Sequence, residues 1–287
     1  MIQALFDDVA FTILLTGVLT AASAALLGTF LVVRGQAMLS DAISHGVVFG
    51  VAVTFLLSGV AAGPLQLLGA GAAGLLTVLL TEWLAASGKV KRDAATGLVF
   101  PALFAAGILL LNLFARDAHV DAHTVLLGEI GFVWLDRMPL LGLEVPRSLL
   151  VVSVAFLLNT TYLALFHKEL TAAAFDPVLA ELQGLRPRLV TGGLLGLTSF
   201  TAVAALDAVG VVLFVAFAIT PAVVGRLASQ RLPGMLLTAL AVSAASAVIG
   251  YRVAVALDLS IGGIMALLTA APLLVLMPLT APRKRRA

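Results

Sequence analysis

Asp41 and His45 stand four residues apart in the stretch Ala37-Met-Leu-Ser-Asp-Ala-Ile-Ser-His-Gly-Val-Val-Phe-Gly50, where every other residue is uncharged. At that spacing a helix carries the carboxylate and the imidazole on one face, one turn apart. Paired oxygen and nitrogen donors of this kind suit manganese or zinc, whereas copper(I) prefers thiolate or thioether sulfur. A carboxylate near the centre of a bilayer costs roughly 2.5–3.5 kcal/mol on insertion scales, so such a pair in lipid demands a reason. A transported cation supplies one.

Other chemical candidates are few. His119, Asp121 and His123 occupy alternate positions ahead of Leu127-Gly-Glu-Ile130, and an extended chain there would show all three on one face. They read either as a cation-attracting lip at an external mouth or as a solvated loop kept out of lipid. The remaining histidine is His167, and cysteine is absent, which removes disulfides, thiolate ligands and cysteine nucleophiles together. Gly69-x-Gly71-x-x-Gly74 matches a dinucleotide fingerprint as text, but it lies inside an apolar run with no strand before it and reads as a helix-packing surface. No P-loop pattern, Gly-x-Ser-x-Gly or His-Glu-x-x-His occurs, so neither ATP binding through a P-loop nor an intramembrane hydrolase is expected.

The elements that must position the pair are membrane helices. Of 287 residues, 61% are hydrophobic and 11% charged, and the mean hydropathy is +1.14. Apolar runs able to cross about 30 Å of hydrocarbon recur throughout, which predicts an all-α polytopic transmembrane helix bundle and a single transmembrane domain over residues 1–287. Candidate spans are 10–33, 37–57, 65–86, 94–114, 147–167, 189–206, 209–227, 233–256 and 261–280. The junctions near 207 and 258 are short, so one segment is expected to be broken or re-entrant, and eight crossings compete with nine. The N-terminus, with Asp7 and Asp8 and no basic region, lacks a cleavable-signal pattern.

With the N-terminus outside and spans alternating, thirteen of the seventeen basic residues fall on one side, among them Arg34, Lys89, Lys91, Arg92, Lys168, Arg186, Arg188, Arg226, Arg231 and the run 283–286. Arg116, Arg137, Arg147 and Arg252 fall opposite, together with most acids. The positive-inside rule then favours N-outside, C-cytoplasmic and an odd number of crossings. A net charge of +2 in such a chain reports on orientation, and no nucleic-acid partner is expected.

Two connecting segments are long. The outer one covers about 115–146. In the inner one, about 168–188, Asp176 before Pro177 reads as an N-cap followed by proline at the first helical position, and Gly184 as a stop. A short amphipathic helix on the cytoplasmic surface follows, either a connector in the headgroup zone or a docking element for a partner.

For Asp41 the residues leave two readings. In one, Ser40 caps the helix and Asp41 lies in the first turn, where the helix dipole favours it. In the other, the helix begins near Gln36 and His45 lies about 16 Å beyond Arg34, close to the midplane. One Asp and one His are too few for a divalent ion, but a two-fold dimer would supply two of each.

The stretch Arg34-Gly-Gln-Ala-Met-Leu-Ser-Asp-Ala-Ile-Ser-His-Gly-Val-Val-Phe-Gly50 resembles the second-helix signature of the membrane permeases of ATP-binding-cassette importers for manganese, zinc and iron. The likeness continues through Lys91–Phe100, His119–Ile130, Phe175–Gly184 and Val209–Ala222, and so covers most of the chain in order. The resemblance implies a type II ABC importer permease fold, a homodimer or pseudo-dimer, two cytoplasmic ATPase subunits and an extracytoplasmic metal-binding protein. By position, Asp41 and His45 match the family's intramembrane metal-contacting pair. Phe175, Asp176, Pro177, Leu179, Glu181 and Gly184 fall in the block that matches its ATPase-coupling helix. The His-x-Asp-x-His loop followed by Leu-Leu-Gly-Glu is more similar to the manganese-type branch, with zinc and iron as alternatives. Such a protein is a transport subunit of a bacterial-type cytoplasmic membrane. It holds no permanent cofactor and carries no ATPase of its own. The competing class is a secondary carrier or channel with Asp41, Asp93 and Asp207 as a proton path.

Overall fold

A computed structural model describes residues 6–59, 63–114, 129–140 and 142–280. Helix α1 (Val9–Val33) begins at Asp8, whose carboxylate accepts from the amides of Ala10 and Phe11 and so satisfies two of the free N–H groups of the first turn. It ends at Gly35, which takes a left-handed conformation with φ +69° and turns the chain into α2 (Met38–Ser58). Next come α3 (Pro64–Ala86), with proline in its first turn, and α4 (Arg92–Phe114). A 3₁₀ turn (Ile130–Phe132) and a two-stranded antiparallel hairpin, β1 (Arg137–Leu140) with β2 (Leu143–Pro146), precede α5 (Arg147–Leu165). Two short helices, α6 (His167–Phe175) and α7 (Pro177–Leu182), lead into α8 (Pro187–Ala228), α9 (Leu232–Leu257) and α10 (Ile261–Thr280).

Among the described residues, eight helices are long and apolar enough to cross a membrane, in agreement with the expected all-α bundle. The count of eight hides a doubling: α8 runs 42 residues but is interrupted at Gly210, whose φ of +77° and ψ of 172° are not helical. Its first arm starts beside the end of α5, where the Tyr162 hydroxyl donates to the Val190 carbonyl. Its last turn sits beside the end of α1, where Arg226 donates to the Val32 carbonyl. Those two helix ends lie together, because Arg34 reaches the Ala173 carbonyl in α6. Both ends of α8 therefore lie at one edge of the bundle, and Gly210 is where the chain doubles back. The two arms correspond to the separate spans expected at 189–206 and 209–227.

The centre of the bundle is the contact of α8 with α1. Gly28 packs directly on the Ala218 carbonyl, where no β-carbon would fit, and Phe30, Phe214 and Phe217 are fully buried nearby. Large apolar side chains of α3 and α4, including Leu68, Leu79, Trp83, Leu98 and Leu109, stay exposed. In lipid that exposure is favourable rather than a liability.

Candidate functional site

The α2 helix reaches the rest of the bundle through small residues. Gly46 packs against the Thr77 side chain, and Gly50 against the Gly69 carbonyl and Ala73 of α3. On its other side the backbone of Val48 and Phe49 meets Gly107 of α4. With α2 held on these two sides, Asp41 and His45 project from a face that remains partly open. His45 Nε2 lies 3.5 Å from Asp41 Oδ1, with the two side chains 31% and 29% exposed. The imidazole stacks on Phe100 at 5.8 Å between ring centroids and packs T-shaped with Phe104 at 5.6 Å, so α4 supplies an aromatic wall that fixes its orientation. No third His, Cys, Asp or Glu among the described residues completes a metal cluster, so one chain presents half a ligand set.

The start of α2 differs from both readings of the sequence. Ser40 is not the cap: its hydroxyl donates to the Ala37 carbonyl, and Ala37, the residue before the helix, offers no side-chain cap. Asp41 nevertheless lies in the first turn, where the free amides favour a carboxylate. His45 is seven residues beyond Met38, about 10 Å along the axis rather than 16 Å. The longer estimate counted residues 35–37 as helix, whereas Gly35 places them in a turn.

A polar network that sequence reasoning missed closes the same edge. Glu82, the one acid of α3, accepts from Gln36 Nε2 at 3.0 Å and from the Arg92 guanidinium at 2.9 Å. Arg34 donates to Gln36 Oε1 and to the Ala173 carbonyl, both at 3.0 Å, and thereby ties the α1–α2 turn to α6. Burial, and then the nearby Arg92, lower the pKa of the Arg34 guanidinium, with Glu82 opposing. The available signal was a lone acid in an otherwise apolar span, opposite a basic cluster.

In the inner segment the expected cap is present: Asp176 Oδ1 accepts from the Leu179 amide at 2.9 Å, Pro177 opens α7, and Gly184, at φ +78°, ends it. Residues 167–175 form a helix of their own ahead of the expected one at Asp176. Ala180 is buried, while Phe175, Val178, Leu179 and Leu182 are exposed at 58%, 67%, 50% and 80%. That is an apolar patch on a segment outside the long helices. Glu181 makes a weak 3.8 Å pair with Arg188.

His119, Asp121 and His123 lie outside the described residues. At the edge opposite Arg34, the β1–β2 hairpin lies in a segment expected only as loop, since its strands are four residues each. Arg137 of β1 pairs with Asp7 at 2.7 Å and Arg147 with Asp136 at 3.6 Å. Asp207 has Arg147 and Asp136 as its charged neighbours. Asp41 and Asp93, each in the first turn of its helix at the other edge, are thus a bundle-length away from Asp207, with no described carboxylate bridging them.

The model of the ABC 3 transport family matches residues 7–280. The manganese transport system membrane protein MntD of Bacillus subtilis is 40% identical over 258 residues, 90% of this chain and 87% of that protein. The zinc transport system membrane protein TroD of Treponema pallidum is 40% identical over 254 residues, 88% of this chain and 69% of that protein. Among solved structures, PsaBC from Streptococcus pneumoniae in complex with Fab is similar with a TM-score of 0.76 and 25% identity, covering 96% of this chain and 95% of that one.

Proposed function

The chain belongs to the ABC 3 transport family, and from that premise we propose that it is the permease subunit of an ATP-driven importer of a divalent transition metal, manganese first and zinc or iron as alternatives. The observation that carries the reading is the Asp41–His45 pair, 3.5 Å apart on a partly open face of an apolar helix. Two copies related by a two-fold axis would bring together two carboxylates and two imidazoles, a mixed oxygen and nitrogen set suited to manganese or zinc. Carboxylates facing each other in low dielectric repel, so the arriving cation is stabilised by both and protons can replace it when it leaves. The relatives named for manganese and zinc transport support the cargo class.

In this mechanism a loaded extracytoplasmic binding protein delivers the ion from the side of Asp7 and the hairpin. Asp41 and His45 of each copy hold it transiently. Cytoplasmic ATPase subunits seat on Phe175, Val178, Leu179 and Leu182, and ATP binding and hydrolysis there rock the helices between outward and inward access. The orientation is N-terminus outside and C-terminus cytoplasmic, with nine crossings once the two arms of α8 are counted separately. It is supported by the concentration of basic residues at the edge holding Arg34, Arg92 and Arg226, and by the pairing of Arg137 and Arg147 with acids at the other.

Asp41→Ala or His45→Ala is expected to abolish manganese accumulation by whole cells while leaving membrane assembly intact. Wild-type accumulation in either variant would sink the site. A secondary carrier requires no docking element, so co-purification of an ATPase that is lost on replacing 175–179 by a flexible linker separates the two classes.

A further inference from the structure

Pro177 leaves a carbonyl of α6 without its helical partner. The oxygen of Ala173 would ordinarily accept from the amide four residues on, but that residue is Pro177, which has no N–H. Ala173 is 2% exposed, so its carbonyl needs a donor from elsewhere. Arg34 supplies it: Nη1 donates to the Ala173 carbonyl at 3.0 Å, a cation on the negative end of α6. The bond therefore forms at the junction of α6 with the Asp176-capped α7.

From Arg34 the hydrogen bonds continue without a break. Its Nε donates to Gln36 Oε1 at 3.0 Å, Gln36 Nε2 donates to Glu82 Oε1 at 3.0 Å, and the other Glu82 oxygen accepts from Arg92 at 2.9 Å. Gln36 is buried and both ends of its amide are used, so turning the amide over would set oxygen against carboxylate and N–H against guanidinium. The Gln36 backbone carbonyl accepts from the Leu39 amide at the start of α2, and Arg92 opens α4. These two helices carry Asp41 and His45 on one side and Phe100 and Phe104 on the other. Apolar packing offers α6 no such route. Leu170 is buried among residues of α1, α5, α8 and α9, such as Leu27 and Leu194, and among the described residues none of α2, α3 or α4 joins that cluster.

We propose that Arg34 and Gln36 are positioning residues that make the α6–α7 junction and the starts of α2 and α4 move as one body, so that a partner seated on α7 resets the Asp41–His45 pair against its aromatic wall. The link needs arginine, because Nε and Nη1 reach two acceptors in different directions from one planar group, which a lysine ammonium cannot do. Its use in transport rests on the importer reading; the mechanical link itself does not.

The chain holds no cysteine, so spin labels at Met38→Cys on α2 and Lys168→Cys on α6, both exposed, report the distance between those elements. The measurement uses pulsed paramagnetic resonance on the full-length chain in nanodiscs, diluted into excess unlabelled chain. A single narrow distance is expected in the parent and is lost in Arg34→Lys and in Gln36→Leu. In the complex with the ATPase subunit, manganese(II) accumulated per ATP hydrolysed should fall about tenfold in either variant, with ATPase binding and thermal unfolding at parent values. Links in series fail together, so the double variant should fall by that same factor, whereas independent effects would multiply to about a hundredfold. A parent that moves no manganese with ATP sinks the importer reading, and the labels alone then decide the link. An unchanged distance in both variants, a lost distance with unchanged manganese per ATP in a transporting parent, or the multiplied loss in the double variant overturns the proposal.

Discussion

Helix α7 has only six residues, far below the roughly 12–15 at which an isolated helix becomes marginally stable in water. It depends on its cap, the 2.9 Å bond from the Leu179 amide to Asp176 Oδ1. Removing such a cap costs about 1 kcal/mol, within a range of roughly 0.5–2 kcal/mol. If α7 with its cap is near an even balance between formed and unformed, Asp176→Ala lowers the formed fraction from about one half to about one sixth. A partner that recognises only the formed helix then binds about threefold more weakly, and about fivefold if α7 is already the minor state. The assay is titration of the permease in nanodiscs with its purified ATPase subunit, followed by binding and by stimulated hydrolysis. Asp176→Asn retains a capping side chain of equal quality and should match the parent. Parent-like affinity in Asp176→Ala refutes the role of the preformed helix. Equal weakening in Asp176→Asn and Asp176→Ala would assign the effect to charge and refute the capping argument.

The glycines of the discarded nucleotide-like motif separate by packing. Gly69→Ala and Gly74→Ala, whose β-carbons would strike Thr54 and Ser199, should destabilise by about 1–3 kcal/mol, whereas Gly71→Ala, which meets nothing, should stabilise by about 0.5–1 kcal/mol, both read as shifts in thermal unfolding in detergent. Phe104→Leu removes the ring that packs T-shaped with His45 and should weaken apparent manganese affinity in uptake by about two- to tenfold, with maximal rate and expression preserved; an unchanged affinity would show that the aromatic wall does not orient the imidazole.

The comparison of sequence with structure divides along physical lines. Hydropathy located every long helix, because in lipid each backbone polar group must be satisfied within its own segment and only a helix of about 20 apolar residues does so. Spacing alone put Asp41 and His45 on one face, and local chemistry alone placed the α7 cap at Asp176 and its stop at Gly184. These are short-range properties, fixed by residues within one turn of each other.

Long-range properties were decided by packing. The turn at Gly35, which brings His45 nearer the edge than a continuous helix from Gln36 would, is stabilised by Arg34 reaching Ala173, 139 residues away in the sequence. The recruitment of Glu82 by Gln36 and Arg92 joins three helices whose relative rotation no single-span pattern encodes. The aromatic wall on His45 arises because Gly107 lets α4 approach the backbone of Phe49. The sequence by itself determined which groups are chemically capable and at what spacing they recur along each helix; only the tertiary structure decided which of them meet, because contact between helices depends on rotation and close approach set by small residues distant in the chain.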